Sequence, residues 1–223
     1  MQKFDTPGTI SAVVDIPAGR IRLVAADRAD TAVEVLPADA SKGRDARAAE
    51  QTTVAYDAGV LRIKAPEAKN QVLGASGSVA VTVQLPTGSR IEVKTASAEF
   101  QSVGRLGDVA FEGAQATVEL DETASAHLTV QSGDVSVGRL GGPARISTQK
   151  GDLRITEATT GTVTLSTEHG EISVGAARGV SASLDAGTSY GRIHNSLNST
   201  AGSAAGLRIH ATTSYGDITA RSL

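Results

Sequence analysis

The chain contains no cysteine and no tryptophan, and only 3% of its 223 residues are aromatic. Without cysteine it can form no disulfide scaffold, no thiolate nucleophile and no cysteine-type zinc site. Sites for sugars and for single-stranded nucleic acids usually rely on flat aromatic platforms. The scarcity of aromatic side chains therefore argues against both kinds of site.

An excess of charge of one sign is also lacking, because 21 basic residues nearly balance 24 acidic residues. A nucleic acid or an anionic membrane surface needs a basic footprint, so neither is expected as a partner. No apolar run approaches the roughly 18 residues of a membrane span, so no membrane insertion is expected. The first residues lack the basic and apolar regions of a signal peptide. The chain as given is thus expected in the cytoplasm, and at the cell surface only if a leader was removed.

Glycine is abundant, with 24 copies, and it marks a repeat in the second part of the chain. The segment Thr188–Ile193 (TSYGRI) returns almost unchanged as Thr213–Ile218 (TSYGDI). The same pattern of a corner glycine, an acidic residue and an apolar residue recurs earlier at intervals of 17 to 25 residues. The corner glycines are Gly133, Gly151, Gly170, Gly191 and Gly216, and alanine replaces glycine in two earlier copies at Ala98 and Ala116.

Each repeat has the pattern of short strands. Val163–Thr167 and Glu171–Val174 alternate apolar and polar residues, which is the period of a half-buried strand. One such unit cannot bury its apolar face alone, so the copies are expected to stack. The sequence predicts an all-β protein, a β-solenoid of about seven repeats over residues 91–223. The predicted form is a single-stranded, right-handed β-helix, since parallel crossovers are generally right-handed. An antiparallel meander with a glycine at each hairpin tip is the alternative.

Residues 1–90 are also strand-rich, but their period is irregular. They are predicted to form a β-rich N-terminal capping region, which can be continuous with the solenoid. The segments Val14–Leu23 and Val83–Val93 place Pro-x-Gly between alternating runs, which predicts turns. Asp45 is predicted to be the N-cap of a short helix ending at Gln51. Residues 65–77 are predicted to form a loop.

Acidic residues follow most corner glycines and suggest one metal hypothesis. On stacked rungs, Asp134, Asp152 and Glu171 would lie about 5 Å apart, and like charges at that spacing repel. A calcium ion would relieve the repulsion. The favoured interpretation is that water screens these carboxylates and that Asp beside Gly suits a turn. No metal and no cofactor is therefore expected. Of the four histidines, His194 and His210 could approach each other on neighbouring rungs.

No catalytic residues are predicted, because the sequence has no phosphate-binding loop, nucleophile elbow or dinucleotide fingerprint. Some solenoid enzymes cleave acidic polysaccharides with Asp, Lys and Arg aligned on one face. Lys150 and Asp152 share a repeat, and Arg192 lies two repeats further along the chain. This constellation is the basis of an alternative function as a polysaccharide-active enzyme. Tyr190 and Tyr215 hold equivalent positions and are predicted to stack.

Three segments, together with the Gly-acid-apolar corners, resemble a known bacterial family. They are Thr6–Arg28, Ala48–Pro66 and Val81–Ser89. The family consists of β-strand-repeat domains called "putative adhesin" domains, of unknown function, and the likeness is to actinobacterial members. The resemblance covers nearly the whole chain and implies a β-helix-like fold without established catalytic residues. The adhesin label implies display at the cell surface, and the links of some relatives with envelope stress imply a regulatory role as an alternative.

The leading functional hypothesis is a non-catalytic β-solenoid that serves as a binding or scaffolding surface for a protein partner or for itself. The chain stops just after its last predicted strand, at Leu223. The final rung is therefore predicted to be an open edge for strand addition or end-to-end assembly into a dimer or higher oligomer. The alternatives are a polysaccharide-active solenoid enzyme, calcium-stabilised adhesion and an envelope-stress regulatory module.

Overall fold

A computed structural model of the chain describes residues 1–66, 77–198 and 205–223. Most of these residues lie in strands, and the repeats pair edge to edge, so the predicted all-β solenoid fold is confirmed. The chain divides into two compact units, residues 1–116 and 117–223. The predicted handedness and the predicted domain limits 1–90 and 91–223 stay predictions. Most of the predicted loop 65–77 lies outside the described residues.

The first unit contains eight complete strands and a helix among its described residues. Its elements are β1 (Gln2–Asp5), β2 (Ser11–Asp15), β3 (Ala18–Ala26), β4 (Asp30–Pro37), α1 (Gly43–Gln51), β5 (Thr53–Asp57), β6 (Val60–Lys64), β7 (Val79–Pro86) and β8 (Arg90–Val103). A further strand, β9 (Arg105–Ser132), begins in this unit and continues into the second.

Three parallel rungs form the centre of the first unit, where a rung is a strand, a corner and the next strand. The β2–β3 rung lies in the middle. On one side β2 pairs with β6 and β3 pairs with β7, and on the other side both strands pair with β8. Antiparallel strands cover the far side: β5 pairs with β6, β4 with β7, and β1 with β4. Such added strands protect the backbone edge of the β6–β7 rung from other chains.

The corner between β2 and β3 explains the Pro-x-Gly pattern. Gly19 has φ +142° and lies so close to the carbonyl group of Val79 that a Cβ would clash with it. The carbonyl oxygen of Pro17 accepts hydrogen bonds from the N–H groups of Ala96 and Ser97, both at 3.0 Å. Gly19 and Pro17 therefore contact the rungs on the two sides of this corner, and the corner is not a free loop.

The helix α1 begins at Gly43 and its N-cap is Lys42, so the prediction that Asp45 is the N-cap is wrong. Asp45 lies in the first helical turn and is buried. Its Oδ1 accepts a hydrogen bond of 3.0 Å from the backbone N–H of Ser78. A buried carboxylate needs such a partner, and the sequence does not reveal that Ser78, 33 residues away, supplies it.

A charged cluster attaches β1 to β4. Arg28 Nε donates a hydrogen bond of 2.8 Å to Asp30 Oδ1, and Lys3 Nζ lies 2.8 Å from Asp30 Oδ2. Arg28 also donates to the side-chain oxygen of Gln84 on β7. The hydrogen bonds from Arg28 and Lys3 hold the pKa of the Asp30 carboxyl well below its usual range.

We expect Asp30→Asn to destabilise the protein at neutral pH and to lose this effect in acid. The pKa of Asp30 is lower in the folded state than in the unfolded state, so its charged carboxylate stabilises the fold fully above the unfolded pKa of about 3.9. This contribution declines as the pH falls towards the folded-state pKa. The difference in Tm between wild type and variant, measured by circular dichroism from neutral to acid pH, should narrow below about pH 4. A difference that stays constant throughout would contradict the charge-based role.

The second unit contains the rest of β9 and nine further strands among its described residues. These are β10 (Val135–Leu140), β11 (Ala144–Lys150), β12 (Leu153–Ala158), β13 (Gly161–His169), β14 (Ile172–Ala176), β15 (Ala182–Tyr190), β16 (Ile193–Ser196), β17 (Leu207–Tyr215) and β18 (Ile218–Ser222). Every pairing described among them is parallel, so the antiparallel meander is wrong for this unit.

The order of rungs in the second unit differs from their order in the chain. The rungs β11–β12 and β13–β14 follow one another as in the sequence. The next rung in space is β17–β18, because β17 pairs with both β13 and β15, and β18 pairs with both β14 and β16. The last rung of the chain is thus internal, and the prediction that it forms the open edge is wrong.

The core of each rung consists of the inward-facing members of the alternating strands. In the second unit Ile146, Leu165 and Ile209 are at most 1% exposed. Full burial of one such side chain contributes about 1.5–3 kcal/mol of transfer free energy. In the part of the chain that the structure describes, no helix is long and apolar enough to cross a membrane.

Candidate interaction surface of the second unit

The corner glycines form a column in which each packs against the backbone of the next. A Cβ on Gly170 would clash with the carbonyl group of Gly151, and a Cβ on Gly216 would clash with that of Gly170. Gly191 meets the carbonyl group of Gly216 in the same way. Gly170 also has φ +157°, which side chains rarely adopt. Close approach between rungs is thus the reason for glycine at Gly151, Gly170, Gly191 and Gly216, whereas Gly133 is marked by its φ of +133°.

A column of threonines runs beside the glycines on the buried side of the strands. The hydroxyl groups of Thr167, Thr213 and Thr188 donate hydrogen bonds of 3.1 Å. The acceptors are the carbonyl oxygens of corner glycines on the adjacent rung, Gly151, Gly170 and Gly216 respectively. The pattern Thr-x-x-Gly therefore links these three rungs to their neighbours, whereas Thr148, three residues before Gly151, donates to the carbonyl oxygen of Lys150 in its own rung at 3.3 Å. Sequence reasoning missed this role, although the pattern itself is visible in the sequence.

We expect Thr213→Val to lower the free energy of unfolding by about 1 kcal/mol, because valine keeps the shape but cannot donate to Gly170. Thr213 is buried, whereas Thr212 beside it is exposed. Thr212→Val is therefore the matched control and should change stability by less than about 0.5 kcal/mol. Urea denaturation followed by circular dichroism measures both, and equal effects of the two substitutions would contradict the role of the hydrogen bond.

An exposed ladder of three rings lies directly before the corner glycines. His169 stacks on Tyr215 with ring centroids 4.8 Å apart and planes 9° from parallel. Tyr215 stacks on Tyr190 at 4.9 Å and 4°. The two tyrosines predicted to stack are thus in direct contact, because β15 and β17 are neighbours. Tyr190 is 68% exposed and Tyr215 49%, so the ladder forms part of the surface.

The corner carboxylates bond to the backbone of the adjacent rung. Asp134 Oδ1 accepts a hydrogen bond of 2.8 Å from the N–H of Asp152, and Asp152 Oδ1 accepts one of 2.8 Å from the N–H of Glu171. Asp217 Oδ1 accepts one of 2.9 Å from the N–H of Arg192. Within residues 1–66, 77–198 and 205–223, no three His, Asp or Glu side chains are placed to hold a metal ion together.

The structure does not bring together the residues of the polysaccharide-enzyme hypothesis. Because the β17–β18 rung is inserted, Arg192 lies three rungs from Asp152 rather than two, about 14 Å at 4.8 Å per rung. The guanidinium of Arg192 instead lies 3.4 Å from Asp217 Oδ2. Lys150 pairs in register with His169 at the end of the ring ladder.

The two candidate histidines are also separate. His210 lies on β17, before the corner, and its Nδ1 is 3.2 Å from Asp185 Oδ2 on β15. His194 lies on β16, after the corner, and pairs with Thr219 on β18. Although their rungs are adjacent, the corner separates the strands that carry them. The sequence left open an approach of His194 and His210, and the structure places them on strands on opposite sides of the corner.

One edge of the second unit has no strand partner in the described part of the chain. We call it the outer edge: the side of β15 and β16 that faces away from β17 and β18. Asp185 is the only charged residue in β15, which has neither lysine nor proline to discourage pairing. β16 is exposed throughout, and its Ile193 is 44% exposed beside Tyr190. At the start of the outer edge the N–H of Ala182 donates a hydrogen bond of 3.3 Å to the carbonyl oxygen of Asn198. The rest of the edge combines backbone that has no strand partner among the described residues with exposed apolar side chains.

The fold has solved relatives. A protein from Bacteroides fragilis described as a "putative adhesin" aligns with a TM-score of 0.59 and 15% sequence identity, covering 98% of this chain and 95% of that chain. A second "putative adhesin", from Parabacteroides distasonis, aligns with a TM-score of 0.50 and 14% identity, again covering 98% and 95%. At these identities the likeness concerns the fold alone.

No curated protein matches the sequence. A family model does match it, however, over residues 13–222, which is almost the full length. That model describes the Toastrack DUF4097 domain. The match includes the rungs of both units described above, and on this basis the chain belongs to the Toastrack DUF4097 family.

Proposed function

We propose that this chain is a non-catalytic, adhesin-like binding protein that recruits a protein strand at the outer edge of its second unit. The observation that carries the proposal is the outer edge itself, where β15 and β16 lack a strand partner among the described residues. An exposed sheet edge binds extended peptide through main-chain hydrogen bonds, and neighbouring side chains provide specificity. The "putative adhesin" relatives, and the actinobacterial likeness noted in the sequence, are consistent with this role.

The side chains around the outer edge support a protein partner, which can be a second copy of this chain. Tyr190, Tyr215 and Ile193 are the large apolar residues exposed there. Tyrosine is enriched where proteins bind one another, because it combines apolar contact area with a hydroxyl group. Near the edge the guanidinium of Arg192 lies beside the carboxylate of Asp217, and His210 lies beside that of Asp185, which does not favour nucleic acid. Binding of this kind does not depend on whether the chain acts in the cytoplasm or at the cell surface.

The test is self-association of the full chain with and without a blocked outer edge. A Cβ on Gly187 of β15 would meet no atom within 4 Å, so Gly187→Lys places a charge on the edge without a clash. Gly206 has the same open space and lies outside the strands, so Gly206→Lys is the matched control.

Light scattering at increasing concentration should show that the masses of wild type and Gly206→Lys rise with concentration and that the mass of Gly187→Lys does not. Lysine on an edge strand opposes pairing through its charge and its hydration. A wild-type protein that stays strictly monomeric, or equal association of all three, would contradict the proposal that this edge recruits a strand.

A further inference from the structure

The C-terminal rung of the second unit, β17–β18, is held on both sides by rungs that precede it in the chain. β17 forms eight register pairs with β13 and eight with β15. β18 lies between β14 and β16 in the same way. A segment that follows both of its neighbours in the chain therefore lies in a slot between them. Among the described strands β15 and β16 pair only with β17 and β18, so the slot closes around the inserted rung when β15–β16 docks on it.

The contacts that hold β17–β18 in the slot do not depend on which chain supplies it. Thr213 donates to the carbonyl oxygen of Gly170, and the N–H of Gly216 donates to the carbonyl oxygen of Tyr190. Tyr215 stacks between His169 and Tyr190. All of these partners belong to β13–β14 or β15–β16. The same rung from a second copy would therefore make the same contacts at the same sites.

The connection to this rung sets how far the rung can lie from the β15–β16 rung of its own chain. β16 ends at Ser196 and β17 begins at Leu207, so ten residues (207 − 196 − 1) join them. At about 3.3–3.6 Å per extended residue, ten residues span at most about 33–36 Å. Exchange of an identical element between two copies costs little, because every contact of the closed form is rebuilt.

We propose that two copies of this chain form a dimer by exchanging their β17–β18 rungs, each rung filling the slot of its partner. This inference concerns a different surface from the outer edge, so either can fail without the other. A folded β17–β18 rung can leave the slot only by breaking its hydrogen bonds with the strands on both sides. Exchange therefore happens during folding. The resulting dimer, unlike an edge-to-edge dimer, then persists on dilution.

Engineered cysteines distinguish the two forms in the full chain, which has no cysteine of its own. Ser166 on β13 and Thr212 on β17 are register partners. Neighbouring strands lie about 4.8 Å apart, within the Cα separation of about 4.4–6.8 Å that a disulfide requires. The matched control is Ser147→Cys with Ser166→Cys, which joins the consecutive rungs of β11 and β13.

Both double variants are refolded from denaturant at low and at about tenfold higher concentration, oxidised and separated without reductant. For Ser166→Cys with Thr212→Cys we expect a covalent dimer whose fraction rises several-fold with concentration. For the control pair we expect only internal disulfides. Internal disulfides for both pairs at every concentration would overturn the proposal.

A second measurement uses the unmodified chain and does not depend on how the cysteine variants fold. Isotope-labelled and unlabelled copies are refolded together at high concentration and examined by native mass spectrometry after dilution. Mixed dimers that persist after dilution support exchange, and they should persist equally in Gly187→Lys. Monomers alone, or dimers that dissociate on dilution, would overturn it.

Discussion

Gly170→Ala is expected to lower the free energy of unfolding of the second unit by about 2–4 kcal/mol, from steric overlap and from a strained backbone angle together. Gly170 has φ +157°, and a Cβ there would clash with the carbonyl group of Gly151. Gly216 packs on Gly170 from the other side, so a shift of the backbone would disturb two rungs. Chemical denaturation followed by far-ultraviolet circular dichroism measures the loss.

Gly206→Ala provides the control for the loss of glycine as such. A Cβ on Gly206 would meet no atom within 4 Å, and the residue lies outside the strands. Its replacement should change stability by less than about 0.5 kcal/mol. A change in stability for Gly170→Ala as small as that for Gly206→Ala would contradict the conclusion that close packing between rungs requires glycine at this corner.

Phe100→Ala is expected to cost about 3–5 kcal/mol in the first unit, because it removes a large buried ring and leaves a cavity. Phe100 is 1% exposed and stacks on Phe111, with centroids 5.5 Å apart and planes 6° from parallel. Its strand β8 also pairs with β3, at Ile21. The cavity would therefore lie where β8 packs against the rest of the unit, and the midpoint of urea denaturation should fall accordingly.

Phe100→Leu separates the volume of the ring from its stacking. Leucine fills most of the space and should cost about 1–1.5 kcal/mol. A leucine variant as unstable as the alanine variant would show that the stacked arrangement with Phe111, rather than buried volume, dominates at this site. An alanine variant with unchanged stability would contradict the burial of Phe100.

Each unit places a rung from one part of the chain between two rungs from another. In the first unit β2–β3 lies between β6–β7 and β8, and in the second β17–β18 lies between β13–β14 and β15–β16. A strand that is paired on both sides is held by two ladders of hydrogen bonds. Among the described strands this arrangement leaves β15 and β16, rather than β17 and β18, paired on one side only.

Part of the candidate surface could be predicted from residues alone. Tyr190 and Tyr215 precede equivalent corner glycines, and residues that are equivalent in a stacked repeat lie close together on adjacent rungs. The roles of the threonines could have been found from the recurrence of Thr-x-x-Gly at Thr167, Thr188 and Thr213. The predicted spacing of Arg192 and Asp152 was wrong for another reason, because the prediction assumed that the rungs stack in chain order.

The local pattern of this sequence determined the strands, the corners and the contacts from one rung to the next. Alternation selects the buried face, glycine allows the close approach at the corners, and Thr167, Thr188 and Thr213 add hydrogen bonds between rungs. Only the tertiary structure decided which rung lies beside which. The rungs that end at Gly191 and Gly216 share Thr-Ser-Tyr-Gly, so either could stack on the rung of Gly170 with the same contacts. Their order depends on connections and on packing over the whole unit, and that order leaves β15 and β16 at the edge.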